Sequence, residues 1–255
     1  MTQKPQPMPW LEPGDAFPPV DTAWTDSDPV PGLLATGGAL DVDSLLRAYS
    51  NGVFPWFSEG QPILWWSPDP RMVLDVGNFK LHRSLRKTLN NFVADPNCAI
   101  RFDSAFANVI SACANTSRVG QPGTWILPEM VQAYCKMHRA GHAHSVEAWI
   151  DGELAGGLYC VNIGRAVFGE SMFSRKPNAS KIALASLVAF CRSKNIATID
   201  CQQNTQHLAS LGAAEISRDK FIAQIKPSLA KPPPAWHFET VYWDELLTAS
   251  TPLPT

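Results

Sequence analysis

Ile199-Asp-Cys-Gln202 sets a carboxylate and a carboxamide two residues apart inside an apolar run. In an extended strand that spacing sends Asp200 and Gln202 to one face, where together they would take hydrogen bonds from an amine. Cys201 would point to the other face, which argues against a thiol nucleophile. The same spacing suits a purely structural hydrogen-bond pair, and the four residues alone leave both readings open. In Phe168-Gly-Glu-Ser-Met-Phe-Ser174, Glu170 interrupts an apolar strand, where an ionised carboxylate is costly unless it meets a cation or water, or unless alternation turns it outward. Phe54-Pro-Trp-Phe57 with Ile63-Leu-Trp-Trp66 puts five aromatic rings into thirteen residues. Such rings either form a small apolar core or offer flat faces on which a base or side chain stacks. Lys80-Leu-His-Arg-Ser-Leu-Arg-Lys87 carries Lys80, Arg83, Arg86 and Lys87 with no acid among them, which suits phosphate contacts or a solvated helix face.

The elements that must hold these groups follow from periodicity. Asp41 to Gly52 reads as a helix, with Asp41 capping its start, Leu45, Leu46 and Tyr49 on one side, and Gly52 as its stop. Pro128 to Gly141 reads as another, with Pro128 in the first turn and Met130, Tyr134 and Met137 at helical spacing. His144 to Ile150 alternates as a strand, Asp151-Gly152 supplies a tight turn, and Glu153 to Val161 returns as its partner. A third strand runs from Ala166 to Phe173 after a turn at Asn162-Ile-Gly164. Ser180 to Arg192 is a helix with Ile182, Leu184, Leu187, Val188 and Cys191 on its apolar side, and Thr198 to Gln202 is a short strand. Antiparallel strands, a helix, then a further strand predict an α/β (α+β) fold with a mixed, largely antiparallel sheet, as in acyltransferases of the GNAT type. A boundary near Trp66 separates a small N-terminal domain with an extended arm, residues 1–66, from a main domain, residues 67–255. The arm's isolated rings Trp10, Phe17 and Trp24 would pin it, and Trp236, Phe238, Tyr242 and Trp243 would pack the trailing segment.

Composition narrows the classes. At 255 residues and 45% hydrophobic, the chain buries a full core without staples. Its six cysteines are widely spaced, with no CxxC and no zinc-finger interval, and read as reduced thiols of a cytoplasmic protein. No metal site is expected. No apolar run reaches the roughly 18 residues of a membrane helix, and the proline-rich start lacks the pattern of a signal peptide. The formal charge of −2 argues against a polyanionic partner until its distribution is considered. Residues 1–43 hold seven acids and one base, which leaves the remainder with 16 acids, 20 bases and a formal +4.

Eight stretches in order carry a family resemblance: Gly32-Leu-Leu-Ala-Thr-Gly-Gly-Ala-Leu40, Gly52-Val-Phe-Pro-Trp-Phe57, Leu64-Trp-Trp-Ser-Pro-Asp-Pro-Arg71, Ala143-His-Ser-Val-Glu147, Gly169-Glu-Ser-Met-Phe-Ser174, Asn178-Ala-Ser-Lys181, Ile199-Asp-Cys-Gln202 and His207-Leu-Ala-Ser-Leu-Gly-Ala213. Over residues 30–221 the chain resembles the bacterial leucyl/phenylalanyl-tRNA protein transferases. The resemblance implies a small N-terminal domain before a GNAT-like aminoacyl transferase domain. It also implies transfer of Leu or Phe, and weakly Met, from aminoacyl-tRNA to proteins beginning with Arg or Lys, which marks them for degradation in the N-end rule pathway. Trp56 and Trp125 would hold the 3′-terminal adenosine, with Tyr49 nearby. Leu158, Met172 and Leu187 would line the slot for the transferred side chain, and Glu170, Asp200 and Gln202 would form the polar, catalytic site. Lys80, Arg83, Arg86 and Lys87 would grip the acceptor stem. Val167 and Cys160 depart from the family pattern, where an aromatic and a glycine are common. No cofactor is implied, because the donor ester is already activated, and the partners would be charged tRNA and an acceptor protein meeting a monomer.

Overall fold

The computed structural model describes residues 8–116 and 126–248, which form two sheets. The first comprises β1 (Trp10–Leu11), β2 (Leu33–Gly37), β3 (Phe54–Pro55) and β4 (Leu64–Trp66) in the order β1-β2-β4-β3. The arm is thus a strand pairing parallel to β2 rather than a tether held only by rings. Phe17 meets Trp65 edge-on at 4.8 Å and Trp24 is half-buried, but Trp10 stays 61% exposed, so only two of the three rings anchor it.

Helix α1 (Val42–Ser50) follows β2 and forms where its cap and stop predict. The Asp41 carboxylate accepts from the Ser44 backbone N–H at 2.8 Å, filling one of the donors a helix start leaves open. At the far end Gly52 adopts φ +71°, a conformation that favours glycine, and a Cβ there would have to displace the tip of the Ile222 side chain. Leu45, Ala48 and Tyr49 are buried on the inner face.

The second sheet runs β11-β5-β10-β9-β8-β7-β6. Its strands are β5 (Arg71–Asp75), β6 (Cys98–Phe102), β7 (Ala143–Ile150), β8 (Glu153–Ile163), β9 (Ala166–Ser174), β10 (Thr198–Gln202) and β11 (Ala214–Ile216). Every neighbouring pair is antiparallel except β9 and β10. The Asp151-Gly152 turn takes positive φ at both residues, as a tight hairpin of right-twisted strands requires. The remaining helices are α2 (Arg83–Ala94), α3 (Phe106–Ala114), α4 (Pro128–Arg139), α5 (Ala179–Ser193), α6 (Gln206–Ser210), α7 (Arg218–Leu229) and α8 (Asp244–Leu247).

The sheet separates two apolar clusters. One gathers α1, α3, α4 and α7 with the N-terminal aromatics, and the other gathers α2, α5 and the trailing segment. Helix α5 makes the crossover that a parallel β9/β10 pair demands. Sequence periodicity gave it one apolar side, yet every residue from Ile182 to Cys191 is buried, so it runs as a core helix between sheet and tail. The trailing segment packs as its aromatics predict: Trp236 stacks on the His144 ring at 4.1 Å and donates to Asn162 Oδ1 at 3.1 Å, while Tyr242 and Trp243 are buried. No helix among the described residues is long and apolar enough to cross a membrane.

Candidate active site

The parallel pairing of β9 with β10 lasts for only two residue pairs, Ile199 with Val167 and Asp200 with Phe168. Beyond them the strands part: β9 continues along β8, while β10 bulges between Asp200 and Gln202 along β5. A cavity of about 450 Å³ opens in the fork. Leu158, Met172, Leu184, Leu187 and Ile199 give it an apolar body, and Glu170, Gln202, Thr205 and His207 bring polar groups to its wall. Trp56 and Phe54 reach it from the N-terminal sheet. Trp66 backs Trp56 at 5.5 Å and donates to its carbonyl at 2.6 Å, which fixes where that ring sits.

Glu170 is the centre of the polar wall. Its Oε1 accepts from the Tyr49 hydroxyl at 2.7 Å and from Gln202 Nε2 at 2.8 Å, and its Oε2 accepts from the Tyr134 hydroxyl at 3.2 Å. The two tyrosine hydroxyls also face each other, and because each has one proton, all three contacts of this triangle are filled only when Glu170 holds a proton of its own. Burial penalises the charged carboxylate more than these donors relieve it, and the nearby charge of Asp200 adds to the effect, so the Glu170 carboxyl is pushed up to about 8. Both tyrosines are held well above their ordinary value, first by burial and then by the charge of Glu170.

Strand alternation predicts that Asp200 and Gln202 share one face, but a bulge and a turn at Gln202 separate their polar ends, and only Gln202 lines the cavity. Gln202 sits at φ +62°, in the left-handed region that a non-glycine residue adopts rarely. Its backbone N–H donates to Asp200 Oδ1 at 2.9 Å, while its side-chain amide turns to Glu170. The Gln202 carboxamide oxygen has no hydrogen-bond partner among the described residues and belongs to a side chain that lines the cavity. The Asp200 carboxylate does not reach the cavity. It is 2% exposed and engages Arg71, with Nε on Oδ1 at 2.9 Å and Nη2 on Oδ2 at 2.6 Å. Ile199 and Cys201 face the α5 cluster and line the cavity from that side. Burial and the charge of Asp200 push the Cys201 thiol up to about 12, which leaves it without nucleophilic thiolate near neutral pH.

Of the residues singled out from the sequence, Trp56, Leu158, Met172, Leu187, Glu170 and Gln202 line this one cavity. Tyr49 is fully buried behind Glu170 and acts on the cavity through that carboxyl. Trp125 lies outside the described residues. Lys80, Arg83 and Lys87 are exposed, and the start of their segment meets α6, whose His207 and Leu208 form part of the cavity wall. The Lys80 N–H donates to Leu211 O, and the His82 ring meets Ser210 O at 2.7 Å, which ties the basic segment to that helix. Arg86 differs from its three neighbours: it is half-buried and donates to Leu247 O at 3.2 Å, so it holds the trailing segment. Among the five rings of the third stretch, Phe54, Phe57, Trp65 and Trp66 are buried, and most of that stretch is core.

The sequence profile of the leucyl/phenylalanyl-tRNA protein transferase family matches residues 73–226, and the profile of that family's N-terminal domain matches residues 38–69. The chain belongs to this family. It is 63% identical over 252 residues to a leucyl/phenylalanyl-tRNA protein transferase of Polaromonas sp., with 99% of each chain covered. A second transferase of that name, from Albidiferax ferrireducens, is 60% identical over 97% of this chain and 98% of its own. Among solved structures, a GCN5-related N-acetyltransferase from Kribbella flavida aligns with 68% of this chain and 60% of its own at 10% identity and a TM-score of 0.32, too distant to carry an argument.

Two residues support this transferase's polar wall from behind and are not marked by sequence periodicity. Tyr134 passed as one apolar position of α4, because periodicity sees its ring and not its hydroxyl. Arg71 stood in a recognisable stretch with no role attached, and the signal that would have found it is a lone cation in an apolar strand, Arg71-Met-Val-Leu74, which must meet an anion once buried.

Proposed function

We propose that this chain moves leucine or phenylalanine, and methionine less well, from charged tRNA to the α-amine of proteins that begin with Arg or Lys. The observation that carries the reading is the fork cavity, apolar in its body and lined in the same wall by the Glu170 carboxyl and the free Gln202 carboxamide oxygen. The donor is an activated ester and the acceptor an amine, so positioning and proton handling suffice without a covalent nucleophile. The side chain of the donor enters between Leu158, Met172 and Leu187, and its adenosine lies against Trp56, with Trp125 as the second ring. Three exposed bases, Lys80, Arg83 and Lys87, hold acceptor-stem phosphates without reading sequence.

Gln202 accepts a hydrogen bond from the attacking amine and steadies it as the new amide C–N bond forms. A neutral carboxamide is too weak a base to keep the proton, which passes to the ribose oxygen as its ester bond breaks. The Glu170 carboxyl meets the cation of the acceptor, and an arriving positive charge favours its ionised form. The division at residue 66 is supported by the separate four-stranded sheet and by the two family profiles that meet near it. Charged tRNA as donor puts the work in the cytoplasm, where tagged proteins enter degradation by their N-termini, and a single chain suffices as the working unit.

One incubation tests this: the protein with leucine-charged tRNA, acetyl-CoA and a peptide starting with Arg. Leucine on the peptide's α-amine is the expected product. An acetyl group there, or an unmodified peptide, would sink the reading.

A further inference from the structure

Arg71 is 0% exposed, and each of its three guanidinium nitrogens donates to an acceptor on β10 or just past the end of α1. Nε and Nη2 fork onto the two Asp200 oxygens, and Nη1 donates to Gly52 O at 3.1 Å, the carbonyl just past the end of α1. Its guanidinium plane lies between two rings, 4.8 Å from the centre of Phe54 and 4.6 Å from that of Phe221. Phe54 itself lines the cavity, and Phe221 belongs to α7. Of the contacts Arg71 makes, those to Asp200 bear directly on chemistry, because Asp200 Oδ1 is also the acceptor that closes the left-handed turn at Gln202.

We infer that Arg71 is a positioning residue of the transfer reaction: by orienting Asp200 it holds the Gln202 backbone in its turn and so sets the direction from which the carboxamide meets the amine. The inference rests on the proposed role of Gln202. Three facts point to Gln202 as the end of this chain of contacts rather than to bulk packing. The turn is one that a glutamine enters only when held. Its one side-chain hydrogen bond, to Glu170, depends on the direction the turn provides. A bidentate fork fixes the carboxylate plane, which a point charge does not. Nη1 on Gly52 O anchors the guanidinium itself, so the fork meets Asp200 from a fixed direction.

The test uses the full chain. Arg71→Lys keeps the charge and removes the fork. Its kcat for leucine transfer should fall by roughly tenfold to a hundredfold, the range a displacement of about 1 Å produces at a reacting group. The affinity for charged tRNA and the KM of the acceptor peptide should stay within about twofold, because the slot and the adenosine rings are untouched. Combined with Gln202→Ala, the Arg71 substitution should add almost nothing, since the group it aims is gone. A merely structural Arg71 would cost the same factor in both backgrounds, and that result, or an unchanged kcat in the single variant, overturns the inference. If Arg71→Lys does not fold, Asp200→Asn carries the same cycle, because it keeps the volume and an oxygen for the Gln202 N–H while weakening the fork. A wild-type enzyme without leucine transfer overturns the functional reading as well; a wild-type enzyme that transfers while the two losses multiply overturns the role of Arg71 alone.

Discussion

The Tyr49 hydroxyl, carried by α1, donates to Glu170 on β9 at 2.7 Å and so joins the helix nearest the N-terminal sheet to the wall of the cavity. This donor favours the ionised carboxylate, opposing the burial that lifts Glu170. Tyr49→Phe removes the donor and keeps the ring. The Glu170 titration should then move further upward, and stability should fall by about 1 kcal/mol for the lost buried hydrogen bond. Leucine transfer measured against pH would show the shift, and an unmoved profile would remove Glu170 from it.

Glu170→Gln isolates the ionisation itself. The α-amine of the acceptor titrates in the same region, so the informative quantity is the ratio of wild-type to variant rate. That ratio should rise with pH and level off above about 8, where the carboxylate is formed. Stability runs the other way. The folded carboxyl titrates near 8 against an ordinary 4.5, so the folded state keeps an extra proton between these values, and wild-type stability relative to the variant should decline across that window and flatten above it. Denaturant melts at several pH values check the second half.

Met172 stands half-buried on the cavity wall. Shortening it to Ala enlarges the slot proposed for the donor side chain, which should shift preference from Leu toward Phe. One methylene in an apolar pocket is worth about 1 to 3 kcal/mol, so a graded change in the ratio of the two kcat/KM values is expected rather than a switch. Competition between leucine-charged and phenylalanine-charged tRNA measures it directly.

Replacing Lys80, Arg83 and Lys87 together with Ala should weaken charged-tRNA binding and flatten its salt dependence, by up to roughly 0.7 to 0.9 in logarithmic slope per lost phosphate contact. Arg86→Ala is the control. Its guanidinium holds Leu247 O, so it should lower thermal stability and leave the slope alone.

Much of this was legible in the residues. Asp41, Pro128, Gly141 and the Asp151-Gly152 turn mark element ends by local chemistry, which is why α1, α4 and the β7/β8 hairpin fall where spacing places them. Strands β5, β6 and β11 are short and draw their pairing from distant segments, so nothing local announces them. The same holds at the site. Leu158, Met172 and Leu187 come together because they face one side of elements read correctly, whereas the partnership of Arg71 with Asp200 spans 129 positions and was invisible to any window. His144 and Glu147, recognisable as part of a stretch, have scaffold roles: His144 stacks under Trp236, and the fully buried Glu147 accepts from the Ala105 N–H at 2.7 Å, from the Ser145 hydroxyl and from the Trp149 indole.

The parting of β9 from β10 after two paired residues makes the cavity a gap in the sheet itself. Its breadth is therefore dictated by main-chain divergence, and side chains only trim it. A substitution at Leu158, Met172 or Leu187 thus reshapes the lining without moving the two strands that frame it.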